Sequence, residues 1–227
     1  SLARNRRYEI SSNYCRKNKI NTLITAHNLE DQVETFFIRL SRGSGLKGLS
    51  AMKSLSKINS RVSLFRPLLD LKKKFLIKIS KKIFGTYFKD PSNKNEKYLR
   101  TKVRSLKKPL EKRGIRYEQI FKSIQNLSLS KNTLEEYLNK IFKELIKKTN
   151  NEILINFKQY KDLNKDTKMA LINESIKHLK KNYYDLRSKK VDYLIKSIDK
   201  IGFKKSTLGG CVFFKKGDNL CLKVEKY

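Results

Sequence analysis

Acidic residues are scarce in this chain. Asp and Glu number 21 against 54 Lys and Arg, a formal net charge of +33 over 227 residues. Part of that excess is compositional, since Lys far outnumbers Arg and Asn and Ile are common, as an AT-rich genome would give. The basic residues are clustered, however, and clustering points to a polyanionic partner, nucleic acid above all. Cysteine is equally sparse. Cys15, Cys211 and Cys221 form no CxxC pair, which argues against a zinc or iron–sulfur framework and suits a reducing cytoplasm. Apolar runs fall well short of the ~20 residues that span a bilayer, so no membrane partner is expected. Nothing at the N-terminus resembles a signal peptide. Of two histidines, His27 has Asp31 where a zinc-protease helix needs a second histidine. His178 sits among apolar neighbours and is given no role. Gly43 to Gly48 lack the spacing of a Walker A loop.

What is present centres on Thr22 to Leu49. Ile20 to Ala26 reads as a strand buried on both faces of a parallel sheet. Asn28 is an N-cap with Asp31 in the capping-box place. Val33, Phe36, Phe37 and Leu40 form an apolar stripe at helical spacing. His27, Asp31 and Glu34 would share another face, at the carboxyl edge of the sheet where open α/β folds bind ligands. Leu2 to Lys19 reads as a basic helix. Met52 to Arg61 reads as a loop, and Val62 to Phe65 as a short strand. Asp70 would cap a helix from Leu71 to Phe84, with Phe75, Leu76, Ile79 and Ile83 on one side and Gly85 ending it. That stretch opens a run of seven lysines without an acid, Leu71 to Lys89. Asp90-Pro91-Ser92-Asn93 reads as a turn. Nine basic residues against one acid lie between Lys97 and Arg116, with Arg100 and Arg104 on one helix face. Helical spacing marks Tyr117 to Leu129, Leu134 to Ile146, Asp166 to Leu179 and Val191 to Ile201. Cys211 to Phe214 and Leu220 to Val224 flank Lys216-Gly217-Asp218-Asn219, a hairpin signal.

Family resemblance enters at this point. His27-Asn28-Leu29-Glu30-Asp31-Gln32-Val33-Glu34-Thr35, followed by Arg39-Leu40-Ser41-Arg42-Gly43-Ser44-Gly45-Leu46-Lys47-Gly48-Leu49, resembles the second signature block of the tRNA(Ile)-lysidine synthetases. These are N-type ATP pyrophosphatases of the PP-loop superfamily. Arg66-Pro67-Leu68-Leu69, Asp90-Pro91-Ser92-Asn93 with Tyr98-Leu99-Arg100, and Thr207-Leu208-Gly209-Gly210-Cys211 match in order. Arg4, Arg7 and Tyr8 resemble the family's Ala-Arg-x-x-Arg-Tyr element. The family's Ser-Gly-Gly-x-Asp-Ser ATP loop is absent, so the chain is expected to be an N-terminally truncated fragment, inactive alone, or a degenerate copy.

The expected fold is α/β. Residues 1–108 would be the remainder of a Rossmann-like parallel-sheet nucleotide-binding domain lacking its first strands. Residues 109–188 would be a helical tRNA-binding domain, and residues 189–227 a substrate-binding element with a β-hairpin. The resemblance implies ligation of free L-lysine to carbon 2 of the wobble cytidine in the CAU anticodon of tRNA(Ile). ATP would adenylate the cytidine, releasing pyrophosphate, and the lysine amine would displace AMP. Asp31, Glu34 and Asp90 are the expected catalytic carboxylates, with Asp31 and Glu34 also holding Mg²⁺. His27, Arg42, Gly43 and Gly45 are expected at ATP. Arg4, Arg66, Asn93, Arg100 and Arg104 are expected at the tRNA. Two alternatives stand beside this: a sister tRNA-thiolating pyrophosphatase, whose paired cysteines are missing here, and a non-catalytic basic RNA-binding module.

Overall fold

A computed structural model describes residues 2–88, 98–149, 151–180 and 188–225. Two compact units divide the chain, Ser1–Lys131 and Asn132–Tyr227. The division falls inside a long helix, where three segments with boundaries at 108 and 188 were expected.

The first unit opens with α1 (Leu2–Lys17). Lys19 takes a left-handed φ of 57° just past its end, a conformation that cannot continue a right-handed helix. Strand β1 (Thr22–Ile24), α2 (Leu29–Leu40) and the short α3 (Leu46–Leu49) follow. Strands β2 (Leu55–Lys57) and β3 (Ser63–Phe65) complete a three-stranded sheet of order β1-β3-β2. β1 runs parallel to β3, with Leu23 opposite Leu64, and β2 runs antiparallel to it. The expectation of a strand buried on both faces is overturned: β1 lies at the edge of this sheet, and Ile24 is 62% exposed. β2 lies in the stretch read as loop.

Helix α2 begins as its sequence requires. The Asn28 side chain accepts from the Asp31 amide at 3.1 Å, and Asp31 accepts from the Asn28 amide at 3.1 Å. Two otherwise unpaired donors are satisfied reciprocally. Leu29 and Val33 enter a core with Ala51, Tyr117 and Ile124, and Phe36 and Phe37 pack on it. Leu40, the last of the expected stripe, stays half exposed.

Helix α4 (Lys73–Phe84) starts two residues later than expected. Asp70 does not cap it; the Glu30 carboxylate, 43 residues earlier, accepts the Lys73 amide at 2.8 Å. Gly85 ends it at φ 73°, as glycine there permits. Its stripe of Phe75, Ile79 and Ile83 is exposed. Helices α5 (Leu99–Ser105), α6 (Lys107–Lys112) and α7 (Tyr117–Leu145) follow.

The second unit is not the helical domain plus hairpin that periodicity suggested. Strands β4 (Ile146–Lys148) and β5 (Glu152–Asn156) stand where helix was expected. Helices α8 (Phe157–Asp162), α9 (Lys165–Leu179) and α10 (Ser188–Asp199) come next, then β6 (Lys205–Leu208), β7 (Cys211–Lys216) and β8 (Asn219–Val224). All five strands form one antiparallel sheet, β4-β5-β8-β7-β6. The expected hairpin is β7–β8. The Gly209-Gly210 turn joins β6 to β7 with positive φ at both residues, 63° and 70°, the geometry of a two-residue I′ hairpin that favours glycine. Helices and strands share one core: Tyr160, Leu171, Ile172, Ile176, Val191, Leu194 and Ile198 meet Ile153, Ile155, Phe213 and Leu222. His178 was left without a partner, yet it lies 2.9 Å from Lys148 Nζ and 3.8 Å from Glu174 on the exposed side of α9.

The core gives a direct stability test. Leu171→Ala should cost about 2–5 kcal/mol through lost burial and a cavity. Tyr193→Ala, at a 76% exposed position on α10, should cost under about 0.5 kcal/mol. Urea unfolding followed by circular dichroism measures both, and equal losses would contradict this packing.

Candidate active site

The turn between β1 and α2 carries the polar residues, as expected. Thr25 extends the pairing of β1, its amide donating to the Phe65 carbonyl at 2.9 Å. Its hydroxyl lies 2.9 Å from His27 Nδ1 and so fixes the imidazole. His27 and Asp31 line a pocket of about 450 Å³ with Thr25, Arg7, Tyr8 and Arg100. Arg7 and Tyr8 arrive from α1, and Arg100 from α5. The pocket therefore joins a carboxylate and an imidazole to two guanidinium groups.

Glu34 lies one helical turn beyond Asp31 and is only 2% exposed. Arg104 meets it through two hydrogen bonds, Nε to Oε1 at 2.6 Å and Nη2 to Oε2 at 3.0 Å. Such a fork is strong and directionally specific. Arg100 Nε sits 3.2 Å from Oε2 without hydrogen-bond alignment, and its Nη2 donates to Thr35 Oγ1 at 3.4 Å. Burial pushes the Glu34 carboxyl above its ordinary range, opposed by the Arg104 hydrogen bond and charge. The same hydrogen bond raises Arg104. Burial first, then the Glu34 charge, pushes the neighbouring Tyr117 phenol up to about 12.

These contacts sort the expected site residues. His27, Asp31 and Arg100 come together. Glu34 was expected to share Mg²⁺ with Asp31, but both its oxygens are engaged by arginine. Asp31 keeps one oxygen beyond the capping box, 4.0 Å from Arg104 Nη2. Mg²⁺ usually takes only one or two carboxylates, so Asp31 fits as a single ligand and Glu34 does not. Among the described residues no cluster of three metal-ligating side chains occurs. Arg104, expected at RNA phosphate, is turned inward by its carboxylate. Arg66 is buried too, donating to the Lys53 carbonyl at 2.9 Å and to Ser56 Oγ at 3.0 Å; it ties β3 to the strand before it. Arg42, Gly43 and Gly45 are exposed at the far end of α2, roughly 18 Å along the helix axis from His27 by the 1.5 Å rise per residue. Asp90 and Asn93 lie outside the described residues, as does the Arg4 side chain.

Several residues of the signature block act on the fold instead. The buried Gln32 amide pairs with the main chain of Met52 in both directions at 2.8 Å. Arg39 donates to the Gly48 and Ala51 carbonyls at 2.6 and 2.8 Å. A Cβ on Gly48 would stand 2.6 Å from Ser44 Cβ, so glycine there is a packing requirement. Glu30 accepts from Lys107 at 3.0 Å besides the Lys73 amide. Sequence reading missed Thr25, Gln32, Arg39 and Lys107. The one available signal was Arg100 and Arg104, a helical turn apart in a chain poor in acids.

Arg104→Ala removes the groups that hold Glu34 ionised and leaves a buried carboxylate exposed to its desolvation cost. The expected loss is roughly 3–5 kcal/mol. A carboxyl raised above its unfolded value in the folded state opposes folding once pH exceeds that unfolded value, increasingly until the folded value is passed. The loss should therefore be larger at pH 8 than at pH 5 in urea unfolding. Equal losses would mean that Glu34 is not ionised in the pair.

Residues 1–110 match the model of the PP-loop domain. The tRNA(Ile)-lysidine synthase of Wolbachia pipientis wMel is 30% identical over 97% of this chain and 51% of its own length. That of the Wolbachia of Brugia malayi is 31% identical over 98% of this chain and 52% of its own. The Orientia tsutsugamushi synthase is 44% identical over 48% of this chain and 24% of its own length. The chain thus spans about half the length of the curated relatives that it matches most fully. With its first 110 residues forming a PP-loop domain and nearly its whole length alignable, the chain belongs to the tRNA(Ile)-lysidine synthetase family.

Proposed function

We propose that this protein modifies tRNA(Ile) at the cost of ATP, joining L-lysine to carbon 2 of the wobble cytidine in the CAU anticodon. The observation that carries this reading is the pocket in which Asp31 and His27 face Arg7 and Arg100. Activation transfers AMP to the cytidine carbonyl oxygen and releases pyrophosphate. Negative charge gathers on the phosphates in that step, and positioned guanidinium groups stabilise it. Arg7 and Arg100, both at the pocket wall, would supply these groups. Mg²⁺, held by Asp31, would supply further charge neutralisation there. In the second step the lysine amine attacks carbon 2 and AMP leaves with the carbonyl oxygen. A carboxylate near the base can hold the incoming ammonium and accept its proton. Asp31 and, outside the described residues, Asp90 are the candidates. Thr25 keeps the His27 ring oriented toward the same space.

Glu34 acts here through the arginines, setting Arg100 at the pocket wall. The high net charge supports an RNA partner. No described helix is long and apolar enough to cross a membrane.

The complete gene product, incubated with ATP, radiolabelled lysine and tRNA(Ile) carrying CAU, should form AMP and incorporate lysine into the RNA. Asp31→Asn should lower that turnover by about 100-fold or more, the scale of a lost general base, with tRNA affinity nearly unchanged. Normal turnover in that variant would remove Asp31 from the chemistry. Tight tRNA binding by the wild type with no lysine incorporation would favour a non-catalytic RNA-binding module.

A further inference from the structure

His27 is bracketed by fixed backbone. Before it, the Thr25 amide donates to the Phe65 carbonyl at 2.9 Å and ties the chain to β3. After it, Asn28 and Asp31 lock the start of α2 through their reciprocal cap. Thr25 is half-buried, and a β-branched side chain has few χ1 positions. Its hydroxyl is therefore held in a narrow range, 2.9 Å from His27 Nδ1. In a neutral imidazole one ring nitrogen donates and the other accepts, and the bond made at one decides the state of the other. A threonine hydroxyl can serve either way. It can donate to Nδ1, which leaves the proton on Nε2. It can also accept from Nδ1–H, which leaves Nε2 with a lone pair. The rest of the pocket decides between these. The Asp31 carboxylate only accepts, and the Arg7 and Arg100 guanidinium groups only donate, so they draw in a ligand of acceptor oxygens. A ring nitrogen meeting such oxygens must carry a proton, because a lone pair there would be repelled.

We propose that Thr25 is a positioning residue whose hydroxyl donates to Nδ1, keeps the His27 proton on Nε2, and so makes the ring a hydrogen-bond donor to a phosphate oxygen of the bound nucleotide. Nδ1 is occupied by Thr25, so Nε2 is the nitrogen through which the ring addresses the pocket. A preorganised N–H aimed where phosphate charge gathers stabilises that charge without reorganisation. His27 is then not the base that takes the proton of the incoming amine, since its pocket-facing nitrogen has no lone pair to offer. That proton goes to a carboxylate. The nucleotide as source of the phosphate rests on the function proposed above; the tautomer does not.

Selective ¹⁵N labelling of histidine in the complete gene product reads the tautomer directly, the His27 ring being identified by its loss in His27→Gln. Wild type should show a protonated Nε2 and a bare Nδ1, and adding AMP should shift the Nε2 resonance. Thr25→Val keeps the branched shape without the hydroxyl and should show both tautomers in exchange. In lysine incorporation Thr25→Val should lower kcat by roughly 10- to 100-fold, the scale on which losing the partner of a metal-bound histidine acts. KM for lysine should stay unchanged, and Thr25→Ser should restore most of the rate. His27→Gln, which keeps an N–H near the place of Nε2, should lose less than His27→Ala. Thr25→Val should cost the His27→Gln variant little more, because no tautomer remains to be chosen. A wild-type ring protonated at Nδ1, an Nε2 resonance indifferent to AMP, or equal losses in His27→Gln and His27→Ala would each overturn the proposal. So would a Thr25→Val variant whose tautomer is unchanged and whose only defect is a lowered urea midpoint. The expected ring with its AMP response, in a protein that incorporates no lysine, would sink the ligase reading and leave the role of Thr25 intact. Lysine incorporation by a protein whose ring carries its proton on Nδ1 would do the reverse.

Discussion

One buried carboxylate organises the first unit. Glu34 projects from α2 into a place where water cannot reach it, and only guanidinium groups from α5 make that tolerable. Removing an ion from water costs several kcal/mol, which a well-formed fork and further hydrogen bonds can offset. The pair therefore contributes direction more than net stability. It fixes which side of α2 meets α5, and with it where Arg100 stands. Arg100 is shared between this buried contact and the pocket wall. The pocket's positive side is thus set by a residue that does not line it.

The same logic extends along α2. Asp31 holds the start of the helix through its capping box while lining the pocket. Gln32 and Arg39 hold the segment from Gly48 to Met52 through main-chain groups. A compact motif that looks like a list of reactive side chains is largely a set of struts. The side chains that line the pocket lie at one end, in His27 and Asp31.

What could be read in advance followed from local physics. Asn28 and Asp31 announced a capping box, Gly85 a helix end, and Lys216 to Asn219 a hairpin, because each depends on a few adjacent residues. Val33, Phe36 and Phe37 faced the core as their spacing required. Contacts distant in sequence were not legible. Glu34 read as an open carboxylate because the arginines that close it lie about 70 residues away. Arg66 read as an RNA contact because its acceptors, the Lys53 carbonyl and Ser56 Oγ, lie in a polar stretch, Met52 to Arg61, that carries no strand signal. β4 and β5 hid because β5 takes its second partner from β8, some 70 residues onward, while β4 pairs with β5 alone.

The position of β1 carries a consequence of its own. An edge strand presents a line of peptide donors and acceptors on its outer side, and natural proteins usually blunt such an edge with charge, proline or a bulge. Among the described residues β1 has a neighbour, β3, on one side only, and it is three residues long. A ladder that short offers few peptide groups to a foreign strand, which is itself a way natural sheets limit unwanted pairing.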